Sequence, residues 1–452
     1  MGRNSEKPDL TEGSIVKNIW VLAVPMVIEM VMQSTFNIID LFWVGRLGPQ
    51  AIASVSLAGV ILMVYFSIIM GIATSSSALV ARRIGAKDGE GANFIIIQAL
   101  FLGTFIAVIF GFIGYVNARF FITALGASSP VIREGSSYLK IMFAGNMAIV
   151  LMFIINGIFR GVGDAVEAMN VLLFSNLLNL VLDPLLIFGV GPFPKMGVSG
   201  AAVATITARV LGILFQLYIL LNGTGRVKLS FDKLAVDLGI MWQIIAIGVP
   251  ASGQLLLRMV GMLVIMRIVA IFGTFAIAAY GIVTRVLQFI LFPGFGLGNA
   301  SATLVGQNLG AGNPKRAEKS AWITGSITML LLGACATLFF VFAGTLIRIF
   351  NDDATVISLG ITCLRIISIS YLFNGLGVVL SRSFMGAGDT VSPFVINALT
   401  LWLLQLPMAF VLARPLGFGI NGIWLAITTS NIVNVAMSAA WFRVGRWKYT
   451  MI

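Results

Sequence analysis

Residues 25–40 read PMVIEMVMQSTFNIID, and the polar residues in this apolar stretch give the first indication of the fold and of a functional helix face. Its polar side chains include Glu29, Gln33, Asn37 and Asp40, which are spaced 4, 4 and 3 residues apart. At about 3.6 residues per turn, this spacing places them in a narrow stripe on one face of an α-helix. The other faces carry Met, Val, Ile and Phe, which suit lipid or helix packing. Two carboxylates on an apolar helix are costly to bury, so the stripe indicates a function.

The composition of the whole chain agrees with a membrane location for this helix. Of the 452 residues, 59% are hydrophobic and 10% are charged, and the mean hydropathy is +1.01. A soluble domain carries about 25% charged residues, because it must cover a water-facing surface. The composition therefore predicts an integral membrane protein and excludes soluble enzymes, nucleic-acid binders and disordered proteins. The chain has no histidine, which excludes imidazole metal sites, Ser-His triads and histidine proton relays.

Apolar runs long enough to cross the hydrocarbon core recur along the chain. A spanning helix needs about 20 mostly apolar residues. The breaks between these runs predict twelve spans: 18–45, 52–80, 93–117, 137–158, 168–190, 200–221, 239–271, 277–304, 320–343, 355–381, 392–413 and 419–442.

The basic residues predict how these spans are oriented. Of the 29 Lys and Arg, 17 fall on the side that holds both termini and 6 fall on the other side. Cytoplasmic loops carry the excess of positive charge, so both termini are predicted to be cytoplasmic. Most of the net charge of +12 is explained in this way. The first apolar run is long and lacks a small-residue cleavage site, so we expect no cleaved signal peptide.

The second half of the chain repeats the first in a fixed register. Pro25 coincides with Pro250, and the register holds as far as Asp164 and Asp389. The other coinciding positions are Gly48 with Gly273, residues 51–53 with 276–278, Gly71 with Gly296, Ser76 with Ser301, residues 85–86 with 310–311, Phe159 with Phe384, Gly161 with Gly386, and Gly163 with Gly388. A register kept over this length indicates two homologous halves.

Each half holds six predicted spans, so both halves begin on the same side of the membrane. They are therefore predicted to be parallel repeats: an N-terminal lobe at 1–221, a cytoplasmic linker at 222–238 and a C-terminal lobe at 239–452. Transporters built from parallel repeats bind substrate between the halves and move one half against the other. The repeat thus favours a carrier over a channel.

Acidic residues inside the spans are the first functional candidates. Of the 17 acids, only Glu29, Asp40 and Asp183 fall well inside predicted spans, all in the first half. Asn179 lies one helical turn before Asp183, and Thr205 lies in the sixth span. Carboxylate, amide and hydroxyl oxygens suit Na⁺, and a buried carboxylate can instead carry a proton. For Thr205, a hydrogen bond to its own helix is the alternative interpretation.

Basic residues also occur at membrane depth. They are Lys140, Arg209, Arg258, Arg267, Arg285 and Arg365. We expect most of them to reach the membrane surface or to pair with carbonyl groups. Arg258 is the deepest and is a candidate gating or counter-charge residue.

Four stretches together resemble the multidrug and toxic compound extrusion (MATE) family. They are residues 25–40 followed by WVGRLG at 43–48, RGVGD at 160–164, NLVLDP at 179–184 and GAAVAT at 200–205. The resemblance covers essentially the whole chain. It is greatest to the DinF-like branch, whose N-terminal acids match and whose C-terminal lobe lacks the acid cluster of NorM-type members.

The resemblance implies twelve helices in two six-helix lobes and antiport of cationic or amphipathic compounds against H⁺ or Na⁺. The positions that match the family's N-terminal cation site are Asp40, Asn179, Asp183 and Thr205. Asp40, Asn179 and Asp183 are the group at which Na⁺ would bind. Pro25 matches a bending proline, and the positions matching the substrate cavity are Gln33, Asn37, Tyr138 and Asn156.

Two positions depart from the family pattern. Phe36 stands where archaeal members have tyrosine, so one hydrogen bond to the cation site is expected to be missing. Glu29 extends the acidic stripe where several relatives are uncharged, and we expect it to provide proton access.

The predicted function is therefore cation-coupled export across the plasma (inner) membrane, by a monomer that contacts lipid and needs no cofactor beyond the coupling ion. Proton coupling is favoured over Na⁺ because of the carboxylate stripe. A lipid-linked oligosaccharide flippase is the alternative, although twelve spans and the N-terminal acids favour the exporter. A membrane enzyme is poorly supported, since no catalytic base or clustered nucleophile is apparent. We expect no nucleic-acid partner.

Overall fold

The computed structural model describes residues 9–223, 229–230, 235–450 and 452, and the side chain of Asn37 lies outside the described part. The described residues form helices and no strand. The helices are α1 (Ile15–Gly45), α2 (Pro49–Gly85), α3 (Gly89–Ala124), α4 (Ser129–Ala144), α5 (Asn146–Val162), α6 (Ala165–Phe188), α7 (Val198–Asn222), α8 (Leu238–Ala270), α9 (Thr274–Gly310), α10 (Pro314–Val341), α11 (Ala343–Arg348), α12 (Ala354–Gly386), α13 (Val391–Asn397), α14 (Leu406–Ala413) and α15 (Ile420–Val444). A π-helix (Ala398–Gln405) joins α13 to α14, and a short 3₁₀-helix (Arg446–Tyr449) follows α15.

The predicted all-α membrane fold is confirmed. Among the described residues, eleven helical stretches are long and apolar enough to cross a membrane, and the bent pair α4 and α5, taken as one span, makes a twelfth. Each predicted span has a counterpart among them. The predicted span 137–158 is the one whose form differs, because its helix begins at Ser129 and bends by 54° at Gly145. A Cβ atom at Gly145 would collide with the side chain of Ile206 on α7, so a neighbouring helix occupies the space at this bend.

Helices α3 and α12 each begin at an aspartate whose carboxylate accepts hydrogen bonds from free backbone amides. The Asp88 carboxylate accepts a hydrogen bond from the Gly91 amide at 2.8 Å and so caps α3. Asp353 caps α12 in the same way, accepting from the Thr355 amide at 2.8 Å. Free amide groups in the first helical turn are satisfied by such carboxylates.

The repeat is visible in the connections as well as in the spans. Gly163 ends α5 with a φ of 91°, and its counterpart Gly388 follows α12 with a φ of 86°. A residue with a side chain rarely adopts this left-handed conformation, which explains the glycine at both positions. In both halves the next residue's amide bonds back to a phenylalanine carbonyl, from Asp164 to Phe159 at 2.8 Å and from Asp389 to Phe384 at 2.9 Å.

The chain packs as two compact units, and the boundary between them falls inside helices. Among the described residues, the first unit contains Ile28–Ser252, and the second contains the residues up to Val27 together with Gly253–Ile452. The unit boundary thus falls shortly after Pro25 in α1 and shortly after Pro250 in α8. Since these prolines are repeat counterparts, the two halves exchange the first parts of their first helices. The predicted lobes follow the sequence repeat, and their boundaries stay a prediction.

Repeat-related glycines explain how the exchanged segments fit. In the first unit, a Cβ on Gly71 of α2 would collide with the Gly248 carbonyl and the Ser252 hydroxyl of α8. In the second unit, a Cβ on Gly296 of α9 would lie 2.8 Å from the Cα of Val27 in α1. Only glycine lets these backbones approach so closely. The glycine pair found in the sequence repeat therefore marks the same helix contact in each unit.

The predicted linker at 222–238 lies partly outside the described residues. Its described part packs on α3 through two amide side chains. Asn93 donates to the Ser230 carbonyl at 2.8 Å and accepts from the Ser230 amide at 3.2 Å. Gln98 donates to the Ala235 carbonyl at 2.6 Å and accepts from the Asp237 amide at 3.0 Å. These paired bonds fix the described part of the connection to the first unit.

We expect Gly71→Ala and Gly296→Ala each to lower the free energy of unfolding by about 1–3 kcal/mol, because the added methyl group forces the backbones apart. Equilibrium unfolding in mixed detergent micelles measures the effect. Gly59→Ala is the matched control, since Gly59 lies on α2 with open space around its Cα. If the Gly71→Ala protein were as stable as the Gly59→Ala protein, the close helix contact would be wrong.

Candidate functional site

Two polar side chains of α6 form the centre of the candidate site. Asn179 and Asp183 lie one helical turn apart and are buried, with exposed fractions of 1% and 0%. The Asn179 amide donates to Asp183 Oδ1 at 3.1 Å. Pro184 follows inside the helix and cannot donate to the carbonyl four residues earlier, so the helix is locally adaptable at this point.

Thr205 of α7 completes this group. The Asn179 amide also approaches the Thr205 hydroxyl oxygen, at 3.4 Å. Helices α6 and α7 come close because two glycines of α7 face α6. A Cβ on Gly200 would lie 2.5 Å from the Leu186 carbonyl oxygen. A Cβ on Gly212 would collide with the Ser175 hydroxyl. Three of the four predicted cation-site residues are thus in direct contact.

Asp40, on the second part of α1, is the fourth predicted residue. It is half-buried and interacts electrostatically with Asp183. Both carboxylates also interact with Tyr138 of α4, whose ring is 6% exposed. Tyr138 was predicted to line the substrate cavity, and the structure places it beside the two acids. Helices α1, α4, α6 and α7 therefore all contribute to one buried polar site.

The site contains more acceptor oxygens than donors. Within the described part of the chain, Asp40 Oδ1, Asn179 Oδ1 and Asp183 Oδ2 are buried and receive no hydrogen bond. Buried polar atoms are normally hydrogen-bonded, so each of these oxygens calls for an explanation. No group of three or more His, Cys, Asp or Glu that could hold a metal ion occurs among the described residues. Two carboxylates with spare oxygen lone pairs suit a proton or a monovalent cation better than a divalent metal.

Arg209 is a buried cation close to this site that the sequence did not explain. It lies on α7 one turn after Thr205 and is 7% exposed. Its guanidinium lies 5.0 Å from the centroid of the Phe36 ring and 3.6 Å from the Met152 sulfur. The expectation that it reaches the membrane surface or pairs with a carbonyl did not anticipate this arrangement. A cation over an aromatic face is stabilised by the ring quadrupole, which gives the phenylalanine at position 36 a structural role.

Glu29 belongs to a separate ion pair. Its Oε1 accepts a hydrogen bond from Arg160 at 2.7 Å, and the two side chains are only 4% and 13% exposed. Glu29 and Asp40 are about three turns apart on α1, which corresponds to roughly 16 Å along the helix. The structure therefore does not join Glu29 to the Asp40 and Asp183 group. Its proposed part in proton access stays a prediction.

The remaining predicted cavity residues fall in different surroundings. Asn156 of α5 is buried and accepts a hydrogen bond from Gln216 of α7 at 2.9 Å. Gln33 is half-buried on α1. The side chain of Asn37 lies outside the described residues. Their common role in substrate binding stays a prediction, and Gln216, which has no distinguishing sequence pattern, was missed.

We expect Glu29→Gln to lower the free energy of unfolding by about 3 kcal/mol, because it removes the ionised carboxylate that accepts the buried 2.7 Å hydrogen bond from Arg160. Equilibrium unfolding in mixed micelles again measures the change. The double variant Glu29→Gln with Arg160→Gln should recover part of the loss.

Glu318→Gln is the matched control for this test. It removes an ion pair with Lys448 that has the same length of 2.7 Å. The Glu318 side chain is 29% exposed and the Lys448 side chain 20%. A partly exposed pair contributes less than about 1 kcal/mol. Equal losses in the two single variants would contradict a special contribution from the buried pair.

Comparison with known proteins shows which family the chain resembles. The "Probable multidrug resistance protein YpnP" of Bacillus subtilis is 26% identical over 445 residues, which cover 97% of each chain. A solved outward-facing multidrug resistance MATE family transporter superposes with a TM-score of 0.91 at 26% identity, covering 99% of this chain and 100% of the other. A MATE protein solved in a bent conformation has a TM-score of 0.90 at 26% identity, covering 97% of each chain.

The MatE family profile matches residues 25–185 and 250–411, two segments that begin at the repeat prolines Pro25 and Pro250. These matches do not distinguish branches within the family, so the DinF-like assignment stays a prediction. Matches on both halves, together with the two-unit helical fold, identify the chain as a multi-pass membrane transporter and not an enzyme. The chain belongs to the MatE family.

Proposed function

We propose that the chain is a secondary active exporter of cationic or amphipathic drugs and other toxic compounds, which it exchanges for H⁺ or Na⁺ by alternating access. The carrying observation is the set of buried oxygens on Asp40, Asn179 and Asp183 that receive no hydrogen bond from the described residues. Two carboxylates at membrane depth attract a small cation strongly, because water does not screen them there. The multidrug resistance relatives support drugs as the cargo.

The coupling mechanism follows from repulsion between the two carboxylates. Asp40 and Asp183 interact with each other, and no described hydrogen bond reaches Asp40 Oδ1 or Asp183 Oδ2. A bound cation relieves this repulsion and draws the second part of α1 towards α6. Loss of the cation restores the repulsion and favours their separation. Ion and drug exchange for one another if they favour different states of this helix.

Pro25 provides a place for α1 to change direction. A proline inside a helix removes one backbone hydrogen bond and permits a kink. The residues up to Val27 belong to the second unit, and those from Ile28 belong to the first. In the proposed mechanism, the part of α1 that carries Asp40 turns at this proline when the ion binds or leaves. MATE proteins have been solved in a bent and in a straight conformation, which supports a change of conformation in this fold.

Proton coupling is the version that we propose. A proton needs a single carboxylate oxygen, whereas a metal cation needs several converging oxygen ligands. The site offers two carboxylates whose buried oxygens receive no described hydrogen bond, which favours the simpler ligand. Na⁺ bound by Asp40, Asn179 and Asp183 is the alternative.

The cellular setting is part of the same proposal. The distribution of basic residues, 17 against 6, supports cytoplasmic termini and a location in the plasma (inner) membrane. We propose a monomer in contact with membrane lipids, with no nucleic-acid partner and no cofactor besides the coupling ion. The multidrug resistance relatives do not favour the lipid-linked oligosaccharide flippase.

Asp40→Asn should abolish gradient-driven export, because the amide cannot bind and release a proton. The measurement is uptake of a cationic fluorescent dye into everted membrane vesicles after a pH gradient is imposed. Asp353→Asn is the matched control: it makes the same chemical change at the start of α12, where asparagine also caps a helix. Full dye flux in a folded Asp40→Asn protein would contradict the assignment of the cation site.

Separate ion gradients identify the coupling ion. In proteoliposomes of the purified protein, a pH gradient without Na⁺ should drive dye transport, and a Na⁺ gradient at equal pH should not. The reason is that the site is proposed to respond to protonation of its carboxylates. Transport driven by Na⁺ alone would contradict proton coupling and favour Na⁺ at the same three residues.

A further inference from the structure

Arg258 is a cation deep in the second unit whose charge the proposed mechanism does not use. It lies in the interior of α8, which runs from Leu238 to Ala270. At about 1.5 Å per residue, the nearer helix end, at Ala270, is roughly 18 Å away. The hydrocarbon core is about 30 Å thick, so Arg258 lies well inside it. A charge at this depth indicates a specific role.

The direction of Arg258 follows from the residues that share its helix face. Gln254 lies one turn before it, Gly261 one turn after and Ile265 two turns after, and all three are buried. Gln254 donates to the Ser381 hydroxyl of α12 at 3.2 Å, and Gly261 faces Leu401 of the π-helix. This face of α8 therefore points into the second unit, away from lipid.

Arg258 is nevertheless exposed, although Gln254, Gly261 and Ile265 on the same face are buried, and Met262, one turn after it, is exposed as well. An inward-pointing side chain can be exposed only if it borders an open space. Charged residues of spanning helices that do not meet a counter-charge face such water-accessible spaces. The guanidinium is therefore accessible to a ligand from within the membrane-spanning region.

The contacts of Arg258 are with neutral groups. Its Nη2 lies 3.5 Å from Asn397 Oδ1 at the end of α13, and it interacts electrostatically with Tyr371 of α12. Asn434 of α15 extends this polar lining, donating to the Thr400 hydroxyl at 2.8 Å. At 3.5 Å, the contact to Asn397 is at the limit of a hydrogen bond and leaves most of the guanidinium donors for another partner.

No acid of the second half can balance this charge. The acids after the start of α8 are Glu318, Asp352, Asp353 and Asp389. They lie at helix ends or in a connection, where Glu318 pairs with Lys448, Asp353 caps α12 and Asp389 binds the Ser392 hydroxyl at 2.6 Å. No ion pair is described for Asp40 or Asp183 in the first unit, and none is described for Arg258 in the second.

The backbone beside Arg258 is also unusual. Asn397 immediately precedes the π-helix Ala398–Gln405. The Thr400 carbonyl accepts a hydrogen bond from the Ser430 hydroxyl of α15 at 2.6 Å. A π-helical segment is rare and is frequently found at functional sites. It lies next to the residue that Arg258 contacts.

We propose that Arg258 binds a carboxylate group of the transported compound. The polar groups around it are those of Asn397, Tyr371 and Asn434. This inference rests on the proposed export function and extends its substrate class to amphipathic compounds that carry a carboxylate. A guanidinium binds a carboxylate through two parallel N–H···O bonds, and the pair is strong where water is scarce. A single cation matches a singly charged anion, which favours a carboxylate over a doubly charged phosphate.

The test compares rhodamine B, which has a free carboxylate, with rhodamine B ethyl ester, in which that group is neutral. Fluorescence anisotropy of each dye is titrated with the purified protein in detergent. The unaltered protein should bind the acid about tenfold more tightly than the ester, the effect of one charge-assisted hydrogen bond. Arg258→Gln should remove this preference while leaving ester binding unchanged, and Arg258→Lys should retain part of it.

Arg365→Gln is the matched control. It removes a guanidinium of the same unit that donates to the Phe340 carbonyl at 3.3 Å, and it should keep the preference of about tenfold. Equal affinity of the unaltered protein for acid and ester, or an undiminished preference in Arg258→Gln, would overturn the carboxylate site alone. Binding of neither dye would count against the proposed drug export and therefore also against this inference.

Discussion

The cost of a charge in hydrocarbon is the constraint on which the rest of the structure depends. An ionised side chain at membrane depth must pair, contact a polarisable group or face water. Glu29 and Arg160 pair with each other, and Arg209 lies over the Phe36 ring. Asp40 and Asp183 repel one another, and buried oxygens of both receive no hydrogen bond from any described residue. A transported cation would neutralise this negative charge.

The repeat connects the charge at Asp40 and Asp183 to movement of the second part of α1. Prolines at repeat-equivalent positions precede the points where α1 and α8 pass from one unit to the other. Gly71 and Gly296 hold the exchanged segments tightly against α2 and α9. The beginning of each first helix is therefore fixed, whereas the remainder belongs to a different body. An ion that acts on Asp40 acts on the part of α1 beyond its proline, so binding energy at one residue can bias the position of a whole helix segment.

Most of the fold could be predicted from the sequence because hydrocarbon thickness sets the length of every span. The repeat was also predictable, since close backbone approaches require glycine and left-handed turns strongly favour it. The acids of the cation site were identifiable because so few charges occur in the spans. The bend at Gly145 could not be predicted, because its cause is Ile206 on another helix. The Glu29–Arg160 pair and the Phe36–Arg209 contact join residues far apart in sequence, which no helical periodicity reveals. The π-helix beside Arg258 has no sequence signal that predicts it, and its Thr400 carbonyl accepts a hydrogen bond from Ser430 on another helix.

The central claim is that Asp40 and Asp183 bind a cation that the transported compound displaces. The most direct measurement is proton release when a cationic dye is added to the purified protein in weakly buffered detergent, followed with a pH indicator. Because linkage is reciprocal, dye binding should release protons, and the double variant Asp40→Asn with Asp183→Asn should bind dye without releasing them. Dye binding without proton release in the unaltered protein, or undiminished release in the double variant, would contradict the account.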